Sequence, residues 1–106
     1  REAAFAARPV TQMPLRDFLA LDDLQFRALF RYSPIKRIKR RGFLRNVCVA
    51  LGNVGDRHDL PALQKAAFDP EPLIAEHATW AIDRILERVA LSHQNRESAP
   101  EDLESD

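Results

Sequence analysis

Apolar residues recur at helical spacing from Phe43 onward, and this pattern limits the fold more than any other feature of the chain. The first five fall at i, i+4, i+7, i+8 and i+11, which is one face of an α-helix. They are Phe43, Val47, Ala50, Leu51 and Val54. A matching face lies 31 residues further along, on Ile74, Ala78, Ala81 and Ile82. The pattern therefore predicts two equivalent helices, as in stacked helical hairpins.

The residues between these two faces support the same repeat. They follow the pattern D-x-x-A-L-x-x-A-x-x-D-P-E-P-L-I from Asp59 to Ile74, which resembles the HEAT-like unit of about 30 residues. No segment alternates polar and apolar residues over a useful length, so β-strands are not expected. We predict an all-α fold with about two HEAT-like helical hairpin repeats, preceded by short leading helices.

Cap and turn residues divide the chain into these helices. The expected starts are Pro14, Asp22 or Asp23, Ser33-Pro34, Asp59, and the break Asp69–Pro72. Gly52 and Gly55 predict a left-handed stop after the first long helix. Outside the two repeat faces, the side chains expected to point inward are Leu15, Phe18, Leu19, Leu24, Phe26, Leu29, Phe30, Ile35, Ile38, Leu60, Leu63, Ala67, Phe68, Leu73, Ile85, Leu86 and Val89.

The length of 106 residues suits one domain. We expect a linker over 1–13, the helical domain over 14–91 and a disordered acidic tail over 92–106. No apolar run approaches the roughly 20 residues that cross a bilayer, and no signal peptide is recognisable. Because the sequence starts at Arg1 and not at a methionine, we expect it to be a fragment or a domain of a longer protein. The single cysteine, Cys48, lies in an apolar run, which indicates a buried thiol and a reducing, cytoplasmic location.

Positive charge is concentrated just before the first long helix. Residues 31–45 include seven Lys and Arg side chains and no acidic one. Up to His58 the chain has 12 Lys and Arg against 5 Asp and Glu, and after it 4 against 11, so a net charge of zero conceals a strong polarity. A basic surface that is followed by its own apolar anchor is typical of a domain that binds a polyanion, above all a nucleic acid.

If the part of this basic segment up to Arg41 is helical, its cations form two stripes. Arg37, Arg41 and Arg45 fall at i, i+4 and i+8, and Lys36 and Arg40 lie beside them. Each step advances about 6 Å, which is close to the phosphate spacing of a nucleic-acid strand. Guanidinium groups can also bind a phosphate through two hydrogen bonds.

The basic segment is also compatible with two roles that involve no nucleic acid. The segment can dock an acidic protein surface, including the acidic half of this chain. It can also be an ordinary solvated helix face, although such faces usually carry acidic partners at i±4, and this segment has none.

The motifs of the chain resemble one known family. The run SPIKRIKRRGFLRNVCVALGN, followed by GD, LPAL and DPEPLIAEHATWAI, resembles the C-terminal region of epoxyqueuosine reductases. The preceding LDDLQFRALFRYSPIKR fits the same region. The resemblance extends over about 14–85 and includes the Arg45-Asn46 pair and the His77…Trp80 helix.

This resemblance implies a part in the last step of queuosine synthesis, the reduction of the epoxide on the modified wobble base of certain tRNAs. It implies cobalamin and two 4Fe–4S clusters in the complete enzyme, carried upstream of the matching region, and a HEAT-like module that grips the tRNA. The chain has one cysteine and no C-x-x-C-x-x-C run. We therefore expect this fragment to hold no cofactor and no catalytic residue.

The resemblance also implies partners and contacts. The expected partners are tRNAs of the GUN anticodon class and the upstream reductase domain, and the fragment itself is expected to be a monomer without membrane contact. The alternative is an interaction module that docks an acidic surface. The candidate tRNA contacts are Lys36, Arg37, Lys39, Arg40, Arg41, Arg45 and Asn46.

His77 and Trp80 lie three residues apart, so they are expected on one helix face. The structural interpretation makes Trp80 an anchor between helices and gives His77 a hydrogen bond nearby. The functional one makes the pair a secondary RNA contact through base stacking or a ribose bond. His58 and His93 lie elsewhere in the sequence, so the histidines do not predict a metal site.

Overall fold

The computed structural model describes the backbone of residues 13–105 and the side chains of residues 13–92. Over these residues it has five α-helices, two short 3-10 helices and no β-strand, which confirms the all-α prediction. In chain order they are α1 (Leu15–Phe18), α2 (Asp23–Leu29), the 3-10 helix η1 (Pro34–Ile38), α3 (Lys39–Val54), the 3-10 helix η2 (Arg57–Asp59), α4 (Leu60–Ala66) and α5 (Pro72–Ser105). The expected linker lies outside the described residues, except for Met13.

Side-chain caps begin α2 and η1 as the sequence predicted. The Asp22 carboxylate accepts a hydrogen bond from the Gln25 N–H (2.8 Å), and the Gln25 side chain accepts one from the Asp22 N–H (2.9 Å), which completes a capping box. The Ser33 hydroxyl accepts from the Ile35 N–H (3.2 Å) and is followed by Pro34. Local sequence therefore sets both of these helix starts.

Asp59 has a different role from the one expected of it. Its carboxylate does not cap α4 but accepts a hydrogen bond from the Asp56 N–H at 3.0 Å. It also pairs with Arg16 of α1 at 3.1 Å. Asp59 is buried, so this carboxylate ties the first helix to the turn between α3 and α4.

One apolar cluster forms the core, and all five α-helices contribute to it. The buried members on the two long helices are Leu44, Val47, Cys48 and Leu51 of α3, and Ile74, Ala78, Ala81 and Ile85 of α5. Their spacing confirms the helical period. The buried face of α3 is centred differently from the prediction, because Ala50 is half-buried and Val54, at the end of the helix, is 77% exposed.

Several apolar side chains that were expected inside are exposed. Leu24 is 74% exposed because it lies two residues before the buried Phe26, on the opposite side of the short helix α2. Phe68 is 88% exposed because α4 ends at Ala66, before this residue can face the core. The other exposed members of the predicted set are Leu15, Ile38, Leu86 and Val89.

The long helices α3 and α5 pack side by side and run parallel, as two contacts along their length establish. Arg41, near the start of α3, lies 3.8 Å from Glu71, just before α5. Further along, the Trp80 ring covers Gly52. Each contact joins residues about 30 positions apart, which is close to the 31-residue repeat offset. The HEAT-like assignment itself stays a prediction.

The end of α3 is not the left-handed stop that was predicted. Gly55 has φ −76° and ψ 172°, an extended conformation that any residue adopts. Glycine is needed here for space, because a Cβ would lie 2.5 Å from the Leu51 carbonyl oxygen and 2.8 Å from the Asp59 carboxylate. Arg88 of α5 donates to the carbonyls of Gly52 (2.9 Å) and Gly55 (2.7 Å), so a side chain from another helix caps α3.

The backbone of helix α5 continues to Ser105 and includes Pro100. The side chains beyond Ser92 lie outside the described ones, so the disordered acidic tail expected over 92–106 stays a prediction. Within the described part of the chain, no helix has both the length and the apolar character that crossing a membrane requires.

Candidate nucleic-acid interface

The basic segment is not one continuous helix. It begins as η1, and Lys39 then adopts φ 69° and ψ 161° before α3 continues. The two uninterrupted stripes that were predicted are therefore wrong, because Lys36 and Arg37 lie on a different turn from Arg41 and Arg45. The physical reason is that a 3-10 helix rarely extends beyond one turn.

Lys39 holds a backbone conformation that is almost confined to glycine. In other residues this region costs about 1–3 kcal/mol. The neighbouring packing maintains it: Gly42, in the first turn of α3, leaves room for Ile38, whose Cγ2 would lie 2.7 Å from a Cβ at that position. The strained turn thus fixes the direction of η1 relative to α3.

We expect the Lys39→Gly variant to be more stable than Lys39→Ala by about 1 kcal/mol. Both variants lose the same charge, but only glycine relieves the positive φ, and part of the gain is offset by the greater freedom of glycine in the unfolded chain. Urea unfolding of the two proteins measures the difference. Equal stability, or a more stable alanine variant, would show that the turn at Lys39 is unstrained.

An open groove of about 620 Å³ lies where α2, η1, the first turn of α3 and the loop before α5 meet. We call it the basic groove. Of the predicted contacts, its lining includes Lys36, Lys39, Arg40 and Arg41. Arg37 is exposed beside it but does not line it. The tertiary fold therefore brings together cations that the interrupted helix separates.

Aromatic packing makes the floor of the basic groove rigid. Phe26, 1% exposed, lines the groove from below. Its ring lies 5.0 Å from that of Phe30 and 5.7 Å from that of Phe43, measured between centroids. Phe18 completes the cluster, 5.4 Å from Phe43 in an edge-to-face arrangement. The cations of the basic groove therefore lie on a packed aromatic core.

Acidic side chains also line the groove, but they leave an excess of positive charge. Asp23 is already paired with Arg27 at 3.0 Å on the exposed face of α2. Glu71 lies 3.8 Å from Arg41, and both side chains are largely exposed, so this pair contributes little. Arg41 keeps 61% of its side chain accessible to a ligand.

Arg40 is a predicted RNA contact whose guanidinium group is already bound to other residues of the protein. Its Nε donates to the Leu21 carbonyl at 2.7 Å, and its Nη2 donates to the Asp69 carboxylate at 2.5 Å. The two side chains are only 17% and 9% exposed. We therefore leave Arg40 out of the proposed RNA contacts, because binding a phosphate would require this ion pair to open.

The electrostatics of Asp69 follow from the same contacts. Burial disfavours the charged carboxylate, but hydrogen bonds from Arg40 and from the Glu71 N–H, together with the charge of Arg40, outweigh it and lower the pKa of Asp69. Asp69 thus stays ionised at neutral pH. Its carboxylate links the loop before α5 to the start of α3.

The last two predicted contacts, Asn46 and Arg45, differ in how exposed their side chains are to solvent. Asn46 is exposed on α3, and no side-chain hydrogen bond to a neighbouring loop is seen among the described residues. Arg45 is half-buried, and its Nε is buried without an acceptor among those residues. An unpaired buried donor costs about 1–3 kcal/mol.

The start of α3 is unfavourable for the isolated protein. Ile38 occupies the N-cap position without a capping side chain, and the first turn has no acidic residue. Lys39, Arg40 and Arg41 add positive charge to the positive end of the helix dipole, which is destabilising. An anion bound here would meet the positive end of the helix dipole and cations together.

A second, smaller cleft of about 360 Å³ lies further along the seam between α3 and α5. Val49, Glu76, His77 and Trp80 line it, so the two residues predicted to share a helix face do so. The His77 Nδ1 lies 2.8 Å from the Leu73 carbonyl, which is the local hydrogen bond expected of it. Trp80 packs over α3 yet stays 39% exposed, so it combines an anchor with an accessible ring.

Sequence reasoning raised the acidic half of the chain as a partner of the basic segment but did not name the partner residues. Asp69 and Glu71 were treated only as part of a helix break. The signal was available in the repeat offset, since Arg40 and Asp69 are 29 residues apart and Arg41 and Glu71 are 30. Equivalent positions of parallel helices are neighbours, so this offset predicts both pairs.

Comparison with curated proteins finds relatives over most of this chain. It is 33% identical over 88 residues to the epoxyqueuosine reductase of Salmonella typhimurium, 35% over 82 residues to that of Escherichia coli, and 36% over 69 residues to that of Xanthomonas campestris. The chain is related to one part of the epoxyqueuosine reductases. These matches cover 82%, 76% and 64% of the chain.

The matched stretch is a minor part of each reductase. The chain spans about one fifth of the length of these relatives, namely 23%, 21% and 19%. No protein-family profile matches the chain, and no solved structure matches it. The resemblance seen in the motifs is confirmed, and the relatives are oxidoreductases by name.

The iron–sulfur clusters that the resemblance implies do not fit this stretch. A 4Fe–4S cluster takes four cysteine thiolates, and the chain has only Cys48. Burial, with a smaller effect from the charge of Asp69, raises the pKa of this thiol to about 11, which opposes the thiolate form. The residues described here include no group of three or more His, Cys, Asp or Glu side chains placed to hold a metal ion.

Proposed function

We propose that this chain is the tRNA-binding part of a cytoplasmic epoxyqueuosine reductase, and that the basic groove holds the tRNA near its anticodon. The reduction of epoxyqueuosine, with its cobalamin and iron–sulfur clusters, is then the work of the remaining four fifths of such an enzyme. The role of this part is to bind and orient the substrate.

One observation carries the proposal: exposed cations surround an uncapped helix start in an open groove. Lys36, Lys39 and Arg41 line the groove, and Arg37 lies exposed beside it. Crowding these charges at the N-terminus of α3 costs stability unless an anion binds. RNA phosphates supply that anion, and A-form RNA is recognised largely through its shape and backbone.

The proposal is tested by binding of this protein to an unmodified GUN-anticodon tRNA, measured by fluorescence anisotropy at several salt concentrations. Four phosphate contacts predict that log K falls with log salt at a slope of about −3 to −4. We expect the Lys36→Ala/Arg41→Ala double variant to bind about 10-fold more weakly at low salt and to lose about two units of that slope, since two phosphate contacts are removed.

The chain offers a matched control for this variant. Arg57→Ala/Lys65→Ala removes one Arg and one Lys as well, but both are exposed and neither lines the basic groove. We expect this control to retain most of the affinity. Equal losses in both double variants would point to net charge alone, and absence of tRNA binding by the folded wild-type protein would overturn the proposal.

A docking module is the second candidate function. Phe68 and Leu24 are 88% and 74% exposed, and apolar side chains of that kind suit contact with another protein domain. In that case the basic groove would face an acidic surface of the reductase. Phe68→Ser would then weaken association with the catalytic part of the enzyme, whereas tRNA binding by this protein would not change.

A further inference from the structure

The cleft beside Trp80 has a chemistry that the basic groove lacks. Val49 supplies an apolar side, Trp80 an aromatic ring, and Glu76 and His77 supply polar atoms. The acidic Glu76 opposes the entry of phosphate, so a ligand of this cleft should carry no negative charge where it enters. An aromatic ring with an apolar side and a few polar groups suits a flat heterocycle such as a nucleobase.

Two contacts fix the Trp80 ring, and 39% of the residue stays exposed. The edge of its six-membered ring at Cζ3 lies so close to Gly52 that a Cβ there would overlap it. The guanidinium carbon of Arg84 lies 5.8 Å from the ring centroid, a cation–π contact. An exposed ring that is fixed before binding loses little conformational freedom when a base stacks on it.

Beside the Trp80 ring, the polar side chains of the cleft present acceptors. The oxygens of the Glu76 carboxylate accept hydrogen bonds. The His77 Nδ1 lies 2.8 Å from the Leu73 carbonyl. Of the two tautomers of the imidazole, the one that donates from Nδ1 to this carbonyl leaves Nε2 as an acceptor. Two neighbouring acceptors favour a base edge with adjacent donors, which in RNA is the N1–H and 2-amino edge of guanine.

The cleft lies on the same seam as the basic groove. Arg41 and Val49 are eight residues apart on α3, a rise of about 12 Å along the helix. Both Arg41 and Val49 face α5, through Glu71 and Trp80 respectively. One RNA molecule can therefore place its backbone in the groove and an unpaired base in the cleft.

We propose that the Trp80 cleft binds an unpaired guanine of the bound RNA, stacked on Trp80 with its donor edge toward Glu76 and His77. This inference rests on the proposed RNA-binding function. It adds base recognition to a surface that otherwise contacts only the backbone, because bases are read from single-stranded loops rather than from the A-form duplex.

The test uses a short RNA hairpin with an all-uridine loop and the same hairpin with one loop guanosine or one loop inosine. Trp80 is the only tryptophan, so its fluorescence reports on the cleft directly. We expect the guanosine hairpin to quench this fluorescence and to bind about 5- to 10-fold more tightly than the uridine hairpin, which is the size of one stacked base. Inosine lacks the 2-amino group and should fall between them.

Substitutions at two positions of the cleft, Trp80 and Glu76, locate the effect. Trp80→Leu should reduce binding of the guanosine hairpin to the level of the uridine hairpin, whereas Trp80→Phe should retain much of the preference. Glu76→Ala should remove the discrimination between guanosine and inosine. Lys36→Ala/Arg41→Ala, in contrast, should weaken binding of all hairpins by the same factor.

The outcomes separate this inference from the proposed function. Salt-dependent binding that is equal for all three hairpins, without quenching in the wild-type protein, overturns the guanine site and leaves the tRNA-binding proposal standing. Equal effects of Trp80→Leu on all hairpins would make the ring structural and also overturn it. If the folded wild-type protein binds no hairpin at low salt, both proposals fail.

Discussion

Replacing Arg40 by alanine is expected to destabilise the protein by about 2–4 kcal/mol, since it leaves the Asp69 carboxylate, whose side chain is only 9% exposed, without its charged partner. The same change removes the donor to the Leu21 carbonyl. Three segments lose their common link: the loop before α2, the start of α3 and the loop before α5. Urea unfolding followed by circular dichroism measures the loss.

The effect of Arg40→Ala depends on pH in a definite direction. The pKa of Asp69 in the folded protein is lowered from its ordinary value of 3.8. The pair therefore stabilises the fold above that value, and the contribution is lost as pH falls below it toward the folded pKa. The difference in stability between wild type and variant should shrink when both are measured at about pH 3.

Arg41→Ala is the matched control for this prediction. It removes the next residue, also an arginine, but that side chain is 61% exposed and its nearest acidic partner, Glu71, is 3.8 Å away. We expect a change below about 0.5 kcal/mol, as for other exposed pairs. Similar losses for the two variants, or a loss from Arg40→Ala that persists unchanged in acid, would contradict the assignment of Arg40 to a stabilising ion pair.

Gly52→Ala is expected to have opposite effects on stability with and without the Trp80 ring. Alanine gains about 1 kcal/mol in helix propensity over glycine. In the wild-type background its Cβ would overlap the ring, lying 2.9 Å from Cη2 and 3.0 Å from Cε3, and such overpacking costs about 1–3 kcal/mol. In a Trp80→Ala background that obstacle is absent, so Gly52→Ala should stabilise the protein.

A double-mutant cycle over these two positions isolates the contact, and we expect a coupling of about 2 kcal/mol. Circular dichroism is the suitable probe, because two of the four proteins have no tryptophan. Additive changes, within about 0.5 kcal/mol, would mean that the partly exposed ring moves aside without cost. That result would also weaken the case for a fixed stacking surface.

The helices could be predicted from the sequence because the caps and apolar periods that indicate them are local. The capping box at Asp22 and the Ser33-Pro34 pair operate within four residues, and the predicted starts of α2 and η1 were confirmed. The period of α5 also placed Ile74, Ala78 and Ala81 in the core. A helix cap and an apolar period both depend only on residues within a few turns of each other in the sequence.

Predictions of burial failed for side chains at or beyond the end of a helix, because the position of that end decides whether they can reach the core. Val54 and Phe68 fit an apolar period, but α3 and α4 finish at or before them, so the core has no surface for them. The basic segment fits a continuous helix equally well. Only the positive φ at Lys39 shows that it is two turns with different directions.

By itself the sequence determined that this protein is helical, that positive charge is concentrated ahead of α3, and that the chain resembles epoxyqueuosine reductases. The tertiary structure decided which cations are accessible. Arg40 and Arg41 are consecutive in the sequence, yet Arg40 is 17% exposed and bound to a carboxylate 29 residues away, whereas Arg41 is 61% exposed in an open groove. Charge is a property of the residue, whereas its partner depends on which distant segments the fold brings within a few ångströms.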